Sequence, residues 1–321
     1  MYNALAANTY VGGGDISATR IIAPPRIVTL RKFHEDEIVE DAADRIWSLL
    51  GSSVHRILEL SAGEVGPGSP VVETRLQMPF QGHKGQIWQV SAQPDVYHNK
   101  ALYDYKVTSV WAYIFAEKPE WTKQLNIQAM LHRENGDEVN ELFIIAILRD
   151  WSMQKALVEK DYPKCAVVKI SVPVWTQEEC EAYVQQRVEL HQRCQISYGE
   201  NRDADKLPLC SPDDRWYRGA TFAVKYKTIS SGKVNMNAKR KFPTLTDARE
   251  YIENNQTTLP KGKTFAEVEE RPGQNIRCER YCDVWRWCSF GQKIHADKLE
   301  REKQAALVNE SKQQEEPEPE E

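Results

Sequence analysis

The sequence lacks any long apolar run. The longest, LFIIAIL at residues 142–148, is far shorter than the ~20 residues needed to cross a bilayer. The N-terminus also lacks the basic and apolar segments of a secretory signal peptide. We therefore expect a soluble intracellular protein that acts in the cytoplasm and has no membrane partner.

Two further absences narrow the class. The sequence contains no Walker A motif, so any ATP-driven step would have to come from a partner protein. It also contains no internal repeat, and 41% hydrophobic and 28% charged residues are typical of ordinary globular proteins rather than disordered or fibrous ones. The length of 321 residues suggests one large domain, or one with a sizeable insertion.

Acidic residues are missing from one stretch of the chain. Residues 215–241 contain eight Lys and Arg and no Asp or Glu. The formal net charge of −5 is fully accounted for by residues 309–321, which contain six Glu and one Lys. The mildly acidic composition therefore does not exclude a nucleic-acid partner.

Hydrophobic periodicity and turn residues predict an α/β fold. Helices are predicted over residues 41–60, 121–132, 176–194 and 244–255, and strands over residues 71–80, 85–97, 101–109, 139–151 and 165–175. A basic β-hairpin is predicted over residues 221–242. The expected domains are a loose N-terminal arm (1–25), a core (26–206), a basic insertion of hairpin and helix (207–262), a cysteine-rich segment (263–295) and a charged, disordered tail (296–321).

Two carboxylates and a lysine form the first candidate site. Asp95 ends one predicted strand, and Asp104 and Lys106 share one face of the next. A tight turn at residues 98–100 would bring the two carboxylates together, where they repel each other unless a cation lies between them. Oxygen ligands of this kind suit Mg²⁺ or Mn²⁺. His55, on the preceding helix, would reach the same cluster.

Each of these residues has an ordinary structural alternative. An Asp-x-Lys pair is common on strands, and a histidine on an apolar helix is more often a packed core residue than a metal ligand. Asp95 follows a proline and could serve turn formation alone. The complete order of elements favours the metal site: a helix with His, two strands meeting at Asp, Asp-x-Lys, and then a helix with Gln.

This order of motifs resembles the PD-(D/E)XK nucleases, and within them the RecB-like family. The resemblance covers about residues 45–150. Residues 51–59 are similar to the family's His motif, residues 92–96 to its second motif, residues 103–109 to its (D/E)-x-K motif and residues 123–131 to its Q-x-x-x-Y helix. Gln93 and Gln128 depart from the usual Gly and Tyr, and they leave the metal ligands intact.

The resemblance implies a restriction-endonuclease-like core, in which helices flank a mixed central sheet. The implied ligands of Mg²⁺ or Mn²⁺ are His55, Asp95, Asp104 and the carbonyl oxygen of Tyr105. Lys106 would position the attacking water, and Gln124 would orient the active-site residues or touch the DNA. Glu59 and Glu73 are weaker candidates, because a carboxylate at either position is equally well explained as a surface residue without a role in metal binding.

Seven cysteines in an intracellular protein are more often metal ligands or buried thiols than disulfides. Cys180 and Cys194 share one face of a predicted helix and Cys165 begins a predicted strand, so we expect all three to be buried thiols. The second candidate site consists of the other four, Cys210, Cys278, Cys282 and Cys288. The last three have the spacing C-x3-C-x5-C within eleven residues, a strong metal-site signal, with packing alone as the alternative.

Four thiolates suit either zinc or an iron–sulfur cluster. Some RecB-like proteins hold a 4Fe–4S cluster with one distant cysteine and a C-terminal C-x2-C-x5-C, which the C-terminal triplet resembles. The resemblance therefore implies a 4Fe–4S cluster, with a structural Zn²⁺ as the alternative. Either group would tie the C-terminal segment to the core.

The acid-free stretch is the expected DNA-binding surface, because phosphate contacts supply most non-specific affinity. The candidates are Arg215, Trp216, Arg218, Lys225, Lys227, Lys239, Arg240 and Lys241. The ring of Trp216 would stack on unpaired bases. A solvated, lysine-rich hairpin without a ligand is the alternative.

The expected function is that of a metal-dependent deoxyribonuclease, an exonuclease that hydrolyses phosphodiester bonds at DNA ends or in single strands. Recombination, repair and phage replication are the implied settings, including a phage-encoded enzyme in the host cytoplasm. One alternative is a structure-specific endonuclease, such as an end-trimming nuclease of CRISPR adaptation. Another is a non-catalytic DNA-binding recombination partner on a decayed nuclease fold, against which the intact Asp95, Asp104 and Lys106 argue.

Overall fold

The structure is a computed structural model that describes residues 13–39, 45–61, 70–115 and 118–314. The chain divides into two compact units, Met1–Pro208 and Leu209–Glu321. Among the described helices, none combines the length and the apolar character needed to span a membrane.

The first unit contains eight described strands and seven described α-helices. The strands are β1 (Ile16–Ser17), β2 (Val71–Val72), β3 (Leu76–Gln81), β4 (Ile87–Ala92), β5 (Val96–His98), β6 (Ala101–Thr108), β7 (Glu141–Leu148) and β8 (Val167–Val172). The helices are α1 (Ala18–Ile22), α2 (Pro25–Phe33), α3 (Ile46–Ser61), α4 (Val110–Ile114), α5 (Pro119–Glu134), α6 (Met153–Val158) and α7 (Gln177–Asn201).

Two sheets organise these strands. The larger has the order β2-β5-β6-β7-β8, and the smaller has the order β1-β4-β3. Strands β6 and β7 run parallel, while the other neighbours in the larger sheet are antiparallel. A parallel pair needs a crossover, and α4 and α5 supply it. The predicted α/β class, with a mixed sheet flanked by helices, is confirmed.

Helix α5 lies at the centre of the first unit. Its residues Ile127 and Met130 belong to a core formed with β3, β4 and α7. Its residues Leu125 and Ala129 belong to a second core formed with β6 and β7. A helix with apolar residues on opposite faces is buried on both, so α5 fixes the two sheets relative to each other.

The sequence signals at two element ends are confirmed. Thr176 and Glu179 form the predicted capping box at the start of α7. Strands β5 and β6 pair with His98 opposite Ala101, which leaves a two-residue turn. Asn99 and Lys100 in this turn have φ values of 49° and 62°, as a type I′ hairpin requires.

Three expectations differ from the structure. Residues 13–25 are not a loose arm: Ile16 pairs with β4, and Ile16 and Ile21 are buried in the core. Residues 1–12 of that arm lie outside the described part. Cys165 is exposed, because β8 begins two residues later than expected. The tail expected from residue 296 is helical as far as Gln314, because Glu, Lys, Gln and Ala favour helix.

The second unit contains small sheets and three described α-helices. Its strands are β9 (Tyr217–Arg218), β10 (Thr221–Val224), β11 (Tyr226–Thr228), β12 (Arg240–Phe242), β13 (Lys263–Phe265), β14 (Glu269–Arg271) and β15 (Gln274–Asn275). Its helices are α8 (Leu245–Asn254), α9 (Ile276–Arg280) and α10 (Ser289–Gln314). Strand β10 pairs antiparallel with β12 and also with β14. The basic segment is therefore part of a three-stranded sheet rather than an isolated hairpin.

Candidate functional site

The β5–β6 hairpin brings the predicted acidic residues together. Val96 pairs with Tyr103, so Asp95 and Asp104 lie at the same level of the sheet. The backbone N–H of Tyr105 donates a hydrogen bond to Oδ2 of Asp95 at 2.6 Å. The tight turn thus holds one carboxylate against the strand that carries the other.

His55 of α3 lies between two oxygen atoms. Its Nδ1 is 3.3 Å from Oδ1 of Asp95, and its Nε2 is 3.1 Å from the carbonyl oxygen of Tyr105. Both ring nitrogens face acceptors, and the hydrogen bond to Asp95 raises the pKa of His55. The predicted set of His55, Asp95 and the Tyr105 carbonyl is therefore assembled in one place.

Asp104, Lys106 and Gln124 form a connected group on the α5 side of the sheet. The side-chain amide of Gln124 donates to Oδ1 of Asp104 at 2.9 Å, and its Oε1 accepts from Lys106 Nζ at 3.3 Å. Lys106 Nζ also lies 2.6 Å from Oδ2 of Asp104. Asp104 is only 1% exposed. Burial raises its pKa to about 6, with the positive charge of Lys106 acting in the opposite direction.

Glu73 joins the cluster more closely than the sequence suggested. One ligand atom from each of His55, Glu73 and Asp95 lies within 4.8 Å of the others. The side-chain amide of Gln93 donates to Glu73, and Arg75 donates to Oε1 of Gln93 at 2.7 Å. Gln93, one of the two departures from the resembling motifs, therefore orients a carboxylate of the site.

The local backbone explains why Glu73 is hard to predict. The expected strand over residues 71–80 is interrupted, and Glu73 in the gap has a φ of 50°, which is uncommon for a residue other than glycine. Its backbone N–H donates to the carbonyl oxygen of Asp95 at 3.3 Å. Burial, followed by the charge of Asp95, raises the pKa of the Glu73 carboxyl. Glu59, the other weaker candidate, makes an ion pair with Arg56.

The donor atoms of this site fit a hard divalent cation. They are one imidazole and several carboxylate and carbonyl oxygens, the kinds of ligand that Mg²⁺ and Mn²⁺ use. Among the residues that the structure describes, none donates a well-aligned hydrogen bond to the buried Oδ2 of Asp104, although the ammonium group of Lys106 lies 2.6 Å from it. A cation beside this oxygen would offset the mutual repulsion of Asp95 and Asp104.

All four predicted cysteine ligands belong to the second unit, but in the described part of the chain no three of their sulfur atoms lie within 4.8 Å of one another. Burial first, and then the charges of Asp214 and of the other three thiols, raise the pKa of Cys210 to about 12. Burial raises the pKa of Cys282 to about 11, with the backbone of Val284 acting in the opposite direction and the charges of Asp283, Cys278 and Cys288 acting in the same direction. All four thiols are therefore close enough to influence one another.

The other three cysteines lie elsewhere. Cys180 and Cys194 are buried on α7 as predicted, whereas Cys165 is exposed.

The predicted DNA-binding residues are only partly available at the surface. Lys225 makes an ion pair with Glu269, and Arg215 donates to Oδ1 of Asn275 at 3.0 Å. Both charges are therefore engaged inside the unit, which makes these two residues poorer phosphate ligands than the sequence suggests. The exposed candidates are Trp216, Arg218, Lys227, Lys239, Arg240 and Lys241.

No protein-family profile and no curated protein sequence matches this chain. Among solved structures, the chain matches one described as SSO0001 at 14% identity and a TM-score of 0.41, over 59% of this chain and 83% of that one. It matches an alkaline exonuclease, LHK-Exo from Laribacter hongkongensis, at 16% identity and a TM-score of 0.35, over 65% of this chain and 100% of that one. It also matches the structure of LHK-Exo in complex with dAMP at 16% identity and a TM-score of 0.36, over 60% of this chain and 94% of that one. Likenesses this weak support no inference about the present chain.

Proposed function

We propose that the protein is a metal-dependent nuclease that hydrolyses phosphodiester bonds of DNA. The observation that carries this proposal is the cluster in which one ligand atom from each of His55, Glu73 and Asp95 lies within 4.8 Å of the others. Asp104 and Lys106 stand beside it on the adjacent strand. Of the residues that match the PD-(D/E)XK motifs, His55, Asp95, Asp104, Lys106 and Gln124 take part in this arrangement or contact it.

Each side chain of the site would have a distinct role in such a reaction. Mg²⁺ or Mn²⁺, held by Asp95, Asp104, Glu73, His55 and the neighbouring carbonyl oxygen, would supply Lewis-acid stabilisation of the negative charge on the phosphate. Lys106, whose ammonium group is paired with Asp104 beside the cluster, would orient a water molecule for in-line attack and neutralise developing charge. Gln124 would hold both Asp104 and Lys106 in these positions.

The expected substrate is DNA with ends or single strands. The exposed basic residues of the second unit, from Arg218 to Lys241, would contact phosphates without reading sequence. Digestion from ends would leave a closed circular single strand intact, whereas the endonuclease alternative would linearise it. A non-catalytic DNA-binding protein would bind both substrates and cut neither.

The test is cleavage of end-labelled oligonucleotides with Mg²⁺ or Mn²⁺. Lys106→Met should reduce the rate by about 100-fold or more, because this change removes a group that acts on the reacting phosphate. Lys100→Met is a matched control: Lys100 lies in the same hairpin, and its partner is the surface residue Glu138. Failure of the wild-type protein to cut any DNA substrate with either metal would overturn the proposal.

We also propose that Cys210, Cys278, Cys282 and Cys288 hold a 4Fe–4S cluster, with Zn²⁺ as the alternative. The support is the C-x3-C-x5-C spacing together with the position of all four cysteines in one unit, a donor set that fits either group. Anaerobically purified protein should show the broad visible absorption of a cluster and contain about four irons per chain. A colourless protein with one zinc per chain would establish the alternative.

A further inference from the structure

An exposed aromatic pair follows the strand that carries Asp104 and Lys106. Trp111 in α4 and Phe115 at its end are 55% and 71% exposed. Their rings stack with centroids 5.8 Å apart and planes inclined by 16°. The pair leaves its outer faces in water, which is unfavourable for so much apolar surface. These faces are therefore available to a flat, apolar partner group.

A second aromatic surface belongs to the same end of the sheet. Trp47 of α3 is 58% exposed, and the guanidinium of Arg149 lies over its ring at 4.2 Å from the centroid. The backbone N–H of Arg149 donates to the carbonyl oxygen of Thr108 at 2.9 Å. This bond places Arg149 beside the end of β6, just before α4 begins.

The start of α4 is tied to the same place. The backbone N–H of Val110 donates to Oδ1 of Asp150 at 2.7 Å. Hydrogen bonds at the ends of β6 and β7 thus hold the backbone of Arg149 and the start of the helix that carries Trp111. A rigid aromatic surface loses little side-chain entropy when it binds a partner.

The aromatic pair lies within reach of the candidate catalytic residues. Trp111 is five residues after Lys106, so their Cα atoms are at most about 18 Å apart. Aromatic rings and a guanidinium are the groups that hold single-stranded nucleic acid, since every base has a face that can stack. Bases inside a duplex already have both faces covered, whereas an unpaired base has a face free.

We propose that Trp111 and Phe115 stack on an unpaired base a few nucleotides from the scissile phosphate, and that Arg149 contacts the adjoining backbone. This inference rests on the proposed nuclease function and narrows its substrate to single strands or frayed ends. The pair selects the strand that enters the site, because a fully paired end offers no unstacked base beyond its terminal pair.

The experiment uses the full chain without divalent metal and an oligonucleotide that carries the fluorescent base 2-aminopurine near one end. Stacking on a ring quenches this base. Trp111→Leu, which keeps an apolar side chain but removes the aromatic face, should weaken binding of the single strand about 10-fold and abolish quenching. Trp111→Tyr should retain both. Leu157→Ala, at a position that is 79% exposed on α6, serves as the control.

The results separate the inference from the proposed function. Equal binding and quenching by the Trp111→Leu and Trp111→Tyr variants would overturn the inference. Cleavage by the wild type with an unchanged KM in Trp111→Leu would overturn the inference alone. If the wild type quenches the base and Trp111→Leu does not, but the wild type cuts no DNA, the stacking inference is supported and the nuclease proposal is overturned.

Discussion

Glu73 combines a strained backbone conformation with a side chain that lies in the candidate metal cluster. It adopts a φ of 50°, in a region that costs a residue other than glycine of the order of 1–3 kcal/mol. Such strain persists where the surroundings impose it. Here the side-chain amide of Gln93 donates to the carboxylate of Glu73, and the carbonyl oxygen of Asp95 accepts from the backbone N–H of Glu73. The position of Glu73 is therefore determined by its contacts with Gln93 and Asp95 rather than by the strand pairing of its neighbours.

Replacing Glu73 by Gln should weaken metal binding. The amide keeps the shape of the side chain but removes its charge, so we expect the affinity for Mn²⁺ to fall by about 10-fold or more. Titration followed by electron paramagnetic resonance measures this directly. Glu59→Gln is the matched control, since Glu59 is paired with Arg56 and should leave the affinity within about 2-fold. Equal losses in the two variants would exclude Glu73 as a ligand.

Asp104 should make metal binding depend on pH. Its pKa is about 6 in the metal-free protein, against an ordinary value of 3.8, and only the charged form is a good ligand. Below about pH 6 a proton competes with the metal, so the apparent Mn²⁺ affinity should fall by up to about 10-fold per pH unit. Above that pH the contribution of Asp104 levels off, while His55, whose pKa is also raised, continues to lose its proton.

Binding isotherms between about pH 5 and pH 8 test this expectation. Asp104→Asn cannot be protonated in this range, so this variant should bind more weakly at every pH and show a shallower pH dependence. Asp137→Asn, which changes a carboxylate paired with His132 outside the site, should follow the wild type. A flat profile in the wild type would show that Asp104 is charged throughout the range.

At the scale of an element, the β5–β6 hairpin determines the register of the site. Both turn residues, Asn99 and Lys100, have positive φ, and the first of them is a residue type that tolerates this conformation. Asn99→Ala should lower the free energy of unfolding of the first unit by about 1 kcal/mol. Asn99→Gly should be nearly neutral, because glycine adopts the same φ without strain. Urea denaturation measures both values, and an equal loss in both would mean that the side chain of Asn99 matters rather than its φ.

The sequence predicts those parts of the site that depend on local rules. Strand alternation places Asp104 and Lys106 on one face, and the short turn places Asp95 beside them, so both features can be inferred from neighbouring residues. The position of Glu73 depends instead on a break between β2 and β3. That break arises from contacts with β5 and Gln93, which are distant in sequence and leave no local signal.

The same distinction explains the errors in the fold. Residues 13–25 have no periodicity over a long window, yet Ile16 is buried where β1 pairs with β4, and Ile21 of α1 is buried in the same core. A two-residue strand and a five-residue helix are too short to show a pattern. The exposed position of Cys165 likewise follows from where β8 begins, and element boundaries are the least certain feature of a sequence-based prediction.

At the scale of the whole molecule, the two candidate sites lie in different compact units. The acidic cluster and the aromatic pair belong to the first unit, while the four thiols and the exposed basic residues belong to the second. Each unit has its own buried residues, such as Ile144 in the first and Ala223 in the second. A change at the cysteine site should therefore affect the stability of one unit more than the other.

Cys282→Ser should test this separation. Burial raises the pKa of Cys282 to about 11 and that of Cys210 to about 12, so a bound metal or cluster would have to displace the thiol protons at neutral pH. Losing one ligand should abolish metal or cluster content and lower the melting temperature of the second unit by more than about 5 °C. Mn²⁺ affinity at the His55 cluster should be unchanged.

Calorimetry, metal analysis and the Mn²⁺ titration provide the three measurements. Cys165→Ser, at an exposed cysteine outside the cluster, is the control, and equal melting temperatures in the two variants would contradict a structural role for the four thiols.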